Sequence, residues 1–241
     1  NQNCTISVNS FSRSNYAFNG WALSATGEKV YDDKESIKIT EDTKLYAKWQ
    51  GNPFTITYNA NGCDDGTHTM ANTTCSYGQT DCKLRSNTFS KPHYTFKKWV
   101  NSDDSSVQYA DGATVPANDV IYTAEWTANK YIVTFVSEGE TVKSDELDYG
   151  SAITLPANPE KVGYSFDSWT PAVAETVPAN DVTYTATYKI SKYNVTFDVD
   201  GKVFSTATLE YGSAITAPES IPTKEGYTFK SWKDYADGAT V

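Results

Sequence analysis

The chain has 241 residues, 39% of them hydrophobic and 14% aromatic, and 20 basic against 30 acidic residues leave a formal charge of −10. No apolar run approaches the roughly 20 residues that cross a bilayer, no N-terminal apolar segment with basic flanks is present, and the aromatic content is too high for disorder. The acidic balance argues against nucleic acid as a partner, which demands clustered Lys and Arg to displace counterions, and 17 Tyr against one Met favours strands over helices.

Residues 1–50 hold Tyr16-Ala-Phe18-Asn-Gly-Trp21 and later Leu45-Tyr-Ala-Lys-Trp49. Residues 51–129 open on Phe54-Thr-Ile-Thr-Tyr58, where large apolar residues alternate with Thr in the period of a half-buried strand. Asn61-Gly62 follows as a hairpin signal, because both central positions of such a turn need positive φ. Tyr94-Thr-Phe96-Lys-Lys-Trp99 comes next, then Pro116-Ala-Asn-Asp119, a turn set by Pro geometry and Asx side chains. The closing Tyr122-Thr-Ala-Glu-Trp126 places Tyr122, Ala124 and Trp126 on one face and Ile121, Thr123 and Glu125 on the other.

Residues 130–191 run through the same order: Tyr131-Ile-Val-Thr-Phe135, Glu138-Gly139, Tyr164-Ser-Phe166-Asp-Ser-Trp169, Pro178-Ala-Asn-Asp181 and Tyr184-Thr-Ala-Thr-Tyr188. Residues 192–241 begin again with Tyr193-Asn-Val-Thr-Phe197, Asp200-Gly201 and Tyr227-Thr-Phe229-Lys-Ser-Trp232. They end on Tyr235-Ala-Asp-Gly-Ala-Thr-Val241, a duplicate of Tyr109-Ala-Asp-Gly-Ala-Thr-Val115. The residue before each motif Tyr is Asn15, His93, Gly163 or Gly226, types that tolerate positive φ, so a left-handed backbone is expected there. No window carries a helical stripe; at most a short turn is expected near 158–161.

The four motif Trp residues stand 78, 70 and 63 residues apart (21 to 99 to 169 to 232). That period is the size of a small module. The expected organisation is the C-terminal part of a first repeat (1–50), a repeat with a longer loop and cysteines (51–129), a third repeat (130–191) and a truncated fourth (192–241). The joints Gln50–Pro53, Thr127–Lys130 and Lys189–Lys192 are too short for flexible linkers, which predicts a semi-rigid rod. Trp21, Trp99, Trp169 and Trp232 are read as core anchors, since a module this small fills its interior with few large side chains. A sugar-stacking platform is the competing reading of the same aromatics.

The ordered motifs resemble the Listeria–Bacteroides repeat family, the internalin-B B-repeat type. Its pattern of an opening Y-x-V-x-F strand, Y-G, G-Y-x-F-x-x-W and a closing L-Y-A-x-W is matched by Tyr77-Gly78, Tyr149-Gly150, Tyr211-Gly212, Gly163–Trp169 and Leu45–Trp49 together with the opening strands above. The resemblance covers nearly the whole chain. It implies mostly-β, β-grasp-like modules in tandem on bacterial cell-surface and secreted proteins, an extracellular setting, and no enzymatic activity or cofactor. Asn15 and His93 in place of Gly, and Tyr188 in place of the closing Trp, depart from it.

Aligning the first two copies puts Cys4 and Cys82 at one position, each 17 residues before its motif Trp. The favoured pairing is Cys75–Cys82 across a turn between two strands, with the partner of Cys4 expected seven residues upstream, outside this sequence, and Cys63 left over. Cys63–Cys75 is the rival pairing, and unpaired thiols in a reducing compartment are the third reading. The gaps between cysteines do not match a zinc module. His68 and His93 sit on a turn and a loop outside any metal or triad pattern. Asp32-Asp33, Asp64-Asp65 and Asp103-Asp104 read as loop acids, and Asp198-Val-Asp200-Gly201 lacks the later ligands of a calcium loop. No catalytic or metal-ligating set is assigned.

After the motif Trp the first two copies carry a longer loop, 16 residues from Trp21 to Ile37 and from Trp99 to Val115, against eight from Trp169 to Val177. Loops of this kind carry binding in many scaffolds, and drift explains the variation equally well. Two functions are therefore carried forward. One is a structural stalk or spacer whose partners are neighbouring repeats, with self-association into a filament as a variant. The other is direct binding of a host protein or glycan through loops and exposed aromatics.

Overall fold

The computed structural model describes residues 2–62, 69–236 and 239–241, and within these it is built from strands and turns without a helix. Two compact units divide the chain, Asn1–Ala128 and Asn129–Val241. The first holds β1 (Gln2–Thr5), β2 (Tyr16–Ala22), β3 (Ser36–Ile39), β4 (Tyr46–Gly51), β5 (Pro53–Asn59), β6 (Thr73–Ser76), β7 (Tyr94–Asn101), β8 (Gln108–Tyr109) and β9 (Val120–Ala128). The second holds β10 (Lys130–Ser137), β11 (Glu140–Asp148), β12 (Tyr164–Thr170), β13 (Val182–Ile190), β14 (Lys192–Val199) and β15 (Lys202–Glu210).

In the first unit β1 pairs with β3 and β2 with β4, and a five-stranded sheet runs β6-β5-β9-β7-β8. In the second unit the sheet runs β11-β10-β13-β12, and β14 and β15 form a hairpin. The centre of each large sheet is a parallel pair, β5 with β9 and β10 with β13, and every other pairing is antiparallel. One side chain stands at the head of each parallel pair. Asp119 Oδ1 accepts the Thr55 amide at 2.5 Å, and Asp181 Oδ1 accepts the Ile132 amide at 2.8 Å. The Asp of each Pro-Ala-Asn-Asp turn thus satisfies an amide of the opening strand where the ladder begins.

The alternation of the opening and closing strands sets the core. Phe54, Ile56, Tyr58, Tyr122, Ala124 and Trp99 are buried together in the first unit, and Val133, Phe135, Trp169, Val177 and Tyr184 in the second. The motif Tyr-x-Phe-x-x-Trp breaks the period of two, since Phe and Trp are three apart. A register shift resolves this: Phe96 faces Trp126 and Lys98 faces Glu125, so Lys97 is the extra residue of a β-bulge. Asn19 and Asp167 are extra in the same way in β2 and β12. The bulge resets the phase in these three copies, so Phe and Trp reach the same face and their rings meet at 5.0–5.4 Å; in the fourth copy Phe229 and Trp232 meet at 5.2 Å outside a strand.

The turn geometry follows the residue types. Asn61, Glu138 and Asp200 have φ of 53–55° and the glycines after them φ of 79–88°. Asn15, His93, Gly163 and Gly226 lie at φ of 64–77°, the left-handed region expected of them. Three expectations differ from the structure. Asn61-Gly62 keeps the turn backbone but closes no two-residue hairpin, because the antiparallel partner of β5 is β6, which begins only at Thr73. Tyr227–Trp232 is not a strand, because in the other copies this motif pairs with a closing strand and the fourth copy has none among the described residues. Cys82 follows a turn but lies in an irregular segment rather than a second strand. Its carbonyl accepts the Val115 amide at 2.9 Å, and only the neighbouring Lys83 bridges to Thr114.

Candidate functional site

The structure concentrates its recurring side-chain chemistry at the turn that precedes each motif Tyr. A basic residue three positions earlier, Arg13, Lys91, Lys161 or Lys224, closes the turn: its carbonyl accepts the Tyr amide at 3.0–3.1 Å. Its cationic end lies over the same Tyr ring, at 3.9, 4.6, 4.7 and 5.0 Å from the centroids of Tyr16, Tyr94, Tyr164 and Tyr227. In three copies the end of this side chain also reaches the turn that follows the opening strand. Lys161 pairs with Glu138 at 2.5 Å, Lys224 with Asp200 at 2.7 Å, and Lys91 Nζ donates to the Asn61 carbonyl at 3.5 Å. The hydrogen bond to Glu138 holds the Lys161 ammonium above its ordinary pKa, against a smaller opposing effect of desolvation. Spacing counts of aromatic and glycine residues overlook this cation; its signal is a Lys or Arg at the third position before all four motif tyrosines.

The joints between copies are built on the same turn. Asn52, the residue between β4 and β5, donates its amide to Asn15 at 2.9 Å and accepts the Tyr77 amide at 3.0 Å. Ser191 does the same between Gly163 and Tyr211, both at 2.9 Å. Tyr77 and Tyr211 are the tyrosines of the Tyr-Gly element. Each of these two linkers is therefore a hydrogen-bonded bridge from the turn of one copy to the Tyr-Gly turn of the next.

Cys75 and Cys82 are disulfide-bonded, with Cα atoms 6.0 Å apart, and both are buried in the core of the first unit's large sheet. The bond closes the loop that carries Tyr77 and Gly78. Cys4 is exposed and unbonded among the described residues, and Cys63, Asp64, Asp65 and His68 lie outside them. Trp99 is fully buried, Trp21 and Trp169 are buried, and Trp232 is half-buried against Phe197, Phe204 and Phe229. Trp99 Nε1 donates to Asp111 at 3.2 Å, an acceptor supplied by the longer loop of its copy, and Asp111 also accepts the Asn87 amide. Asp33 holds the corresponding Asn9 amide in the first copy, where Trp21 Nε1 finds no acceptor among the described residues.

The closing aromatic is tied at one point in two ways. Trp126 Nε1 donates to the Ala60 carbonyl at 2.8 Å, and Tyr188 Oη bonds Ser137 Oγ at 2.5 Å, Ser137 being the counterpart of Ala60. Replacing Trp by Tyr thus keeps a polar link to the end of the opening strand.

The loop acids serve their own turns. Asp104 accepts the Ser106 hydroxyl and amide, which hold its carboxyl below the usual range, the hydroxyl bond first. Asp32 pairs with Lys29. Glu125 is kept low chiefly by its hydrogen bond from Lys97, with desolvation opposing and Lys98 adding to the lowering. No group of three or more His, Cys, Asp or Glu converges on one point among the described residues. The cleft beside the third copy's turn, about 710 Å³, is open and lined by Asn158, Glu160, Lys161, Tyr164 and Tyr193 among others.

The model of the Listeria-Bacteroides repeat domain matches residues 1–48, 54–124, 131–191 and 193–241. The chain belongs to this family. Two proteins of Evansella cellulosilytica are similar to the chain. One, named a putative membrane protein, is 32% identical over 93% of this chain and 35% of its own length. The other, named a putative Gly-rich membrane protein, is 29% identical over 90% of this chain and 25% of its own. Internalin H of Listeria monocytogenes is 33% identical over 61% of this chain and 26% of its own length. The chain spans about a third or less of the curated relatives that it matches. No helix among the described residues is long and apolar enough to cross a membrane.

Proposed function

We propose that this Listeria-Bacteroides repeat region is a non-enzymatic, extracellular spacer of a bacterial surface protein, a semi-rigid stalk that carries other parts of its protein away from the cell in adhesion or as part of a surface assembly. Its second and third copies are β-grasp-like: an antiparallel partner on each side of a parallel central pair, without a helix among the described residues. The observation that carries the proposal is the pair of bridges at Asn52 and Ser191. A linker whose single middle residue bonds both neighbours has little freedom to bend, whereas a flexible linker leaves its backbone to solvent. The relatives support the setting: their printed names place two of them among membrane proteins and one among internalins. Direct binding of a host protein or glycan by the loops is the alternative.

Small-angle X-ray scattering of the 241-residue chain tests the spacer. A rod-like scattering profile, independent of concentration, is expected. A profile of a single compact particle would overturn it, and a concentration-dependent growth in length would replace the spacer by the filament variant.

A further inference from the structure

We propose that the Tyr-Gly turns of the second and fourth copies are docking elements for the copy before each, received by the turn around that copy's motif Tyr. The two joints within the units carry this independently. Between the third and fourth copies, the ring of Tyr211 lies edge-on to Tyr164, centroids 6.3 Å apart. It occupies the space where a side chain at position 163 would be: a Cβ on Gly163 would stand 1.9 Å from Tyr211 Cδ1. Tyr193, the counterpart of buried Phe54, is 47% exposed. Between the first and second copies the contact is made from the other side. The Tyr16 hydroxyl lies over Gly78, 2.7 Å from where a Cβ would sit, and Gly51 leaves room for the Tyr77 backbone, whose carbonyl oxygen would stand 1.8 Å from a Cβ there. Tyr77 itself packs on Phe54 at 5.4 Å.

Each joint therefore places a phenol ring of one copy against a bare glycine of the other, Tyr211 on Gly163 and Tyr16 on Gly78. Glycine at such a spot serves close approach as well as backbone conformation. The positive φ of Gly163 does not by itself demand glycine, because Asn15 holds φ 64° at the same position. What demands it is the ring of Tyr211. The linker bridge at Ser191 and the ring contact act on the same joint, and removing the ring should leave the bridge to open more often.

The inference rests on the spacer reading, and its test is separate from the scattering experiment. Amide hydrogen exchange is followed by mass spectrometry or NMR in the full chain, comparing Gly163→Asn and Tyr211→Ala with the parent. Asn keeps the left-handed backbone available while its Cβ displaces Tyr211. Expected is about a tenfold loss of protection at the Ser191 and Tyr211 amides in both variants, the size of one aromatic pair, with β10–β13 and β14–β15 unchanged. Unchanged protection at Ser191 and Tyr211 would overturn the docking role. So would loss spread through β14–β15 in Tyr211→Ala, which would make Tyr211 a structural member of its own copy only. Spread through β10–β13 in Gly163→Asn would show that position 163 serves the fold of its copy instead. A compact scattering profile with the local loss intact would fault the spacer reading alone.

Discussion

Burial of a hydroxyl gives the molecule a pH-dependent component that can be assigned to one tyrosine. Tyr122 sits in the closing strand of the second copy, and burial first, then the nearby Tyr109 and Tyr58, push its pKa up to about 12. A tyrosine in the unfolded chain titrates near 10. The folded state thus holds the proton more tightly, so the stabilising contribution is complete below about pH 10 and is lost as pH rises through about 12. Urea unfolding followed from pH 9 to 12 should show a falling midpoint for the first unit, and Tyr122→Phe should flatten that fall. An equal slope in both proteins would assign the loss to other groups. Tyr188 offers a second test at this scale. Tyr188→Phe keeps the ring against Phe166 but removes the bond to Ser137, and about 0.5–1.5 kcal/mol should be lost in equilibrium unfolding. The further change Ser137→Ala on the phenylalanine background should then cost almost nothing.

Elements show where the sequence was informative and where it was not. The opening strand, the hairpin at Asp200-Gly201 and the left-handed position before each motif Tyr were legible because each rests on local chemistry: alternation in Phe54–Tyr58, the φ preference of Asp200-Gly201, the same preference at Asn15 and Gly163. The bulge at Asn19, Lys97 and Asp167 was not, since a bulge residue has no side-chain signature and shows only as a Phe–Trp spacing out of phase with the strand. The parallel pairing of β5 with β9 joins residues some 60 positions apart, Ile56 with Val120, and nothing local encodes it. The Cys75–Cys82 bond belongs to this scale too, because it closes the Tyr77-Gly78 turn. Linking residues seven apart contributes about 2–3 kcal/mol through the unfolded chain. Reduction with a phosphine should lower the melting of the unit Asn1–Ala128 by several degrees. The unit Asn129–Val241, which contains no cysteine, should melt as before. An unshifted first unit would leave the bond without an energetic role.

For the whole molecule, the question is whether the four copies share one fate in unfolding. The two large core clusters have no residue in common: one draws on positions between 54 and 126 and the other on positions between 131 and 186. A chain with several small cores unfolds as a sum of module stabilities and nearest-neighbour terms, whereas a single core unfolds at once. Trp99 and Trp169 separate these cases because they are equivalent residues in different clusters. Truncating a buried Trp to Ala removes its packing and leaves a cavity, at a cost of about 3–5 kcal/mol. Trp99→Ala should lower the calorimetric transition of the first unit and leave that of the second nearly in place, and Trp169→Ala should do the reverse. The transition of the fourth copy, whose Trp232 is only half-buried, should be the lowest in the parent protein and should respond to neither substitution beyond the loss of its neighbour's support. If either variant shifts every transition together by the same amount, the copies are one cooperative body and the spacer built from separate modules must be given up.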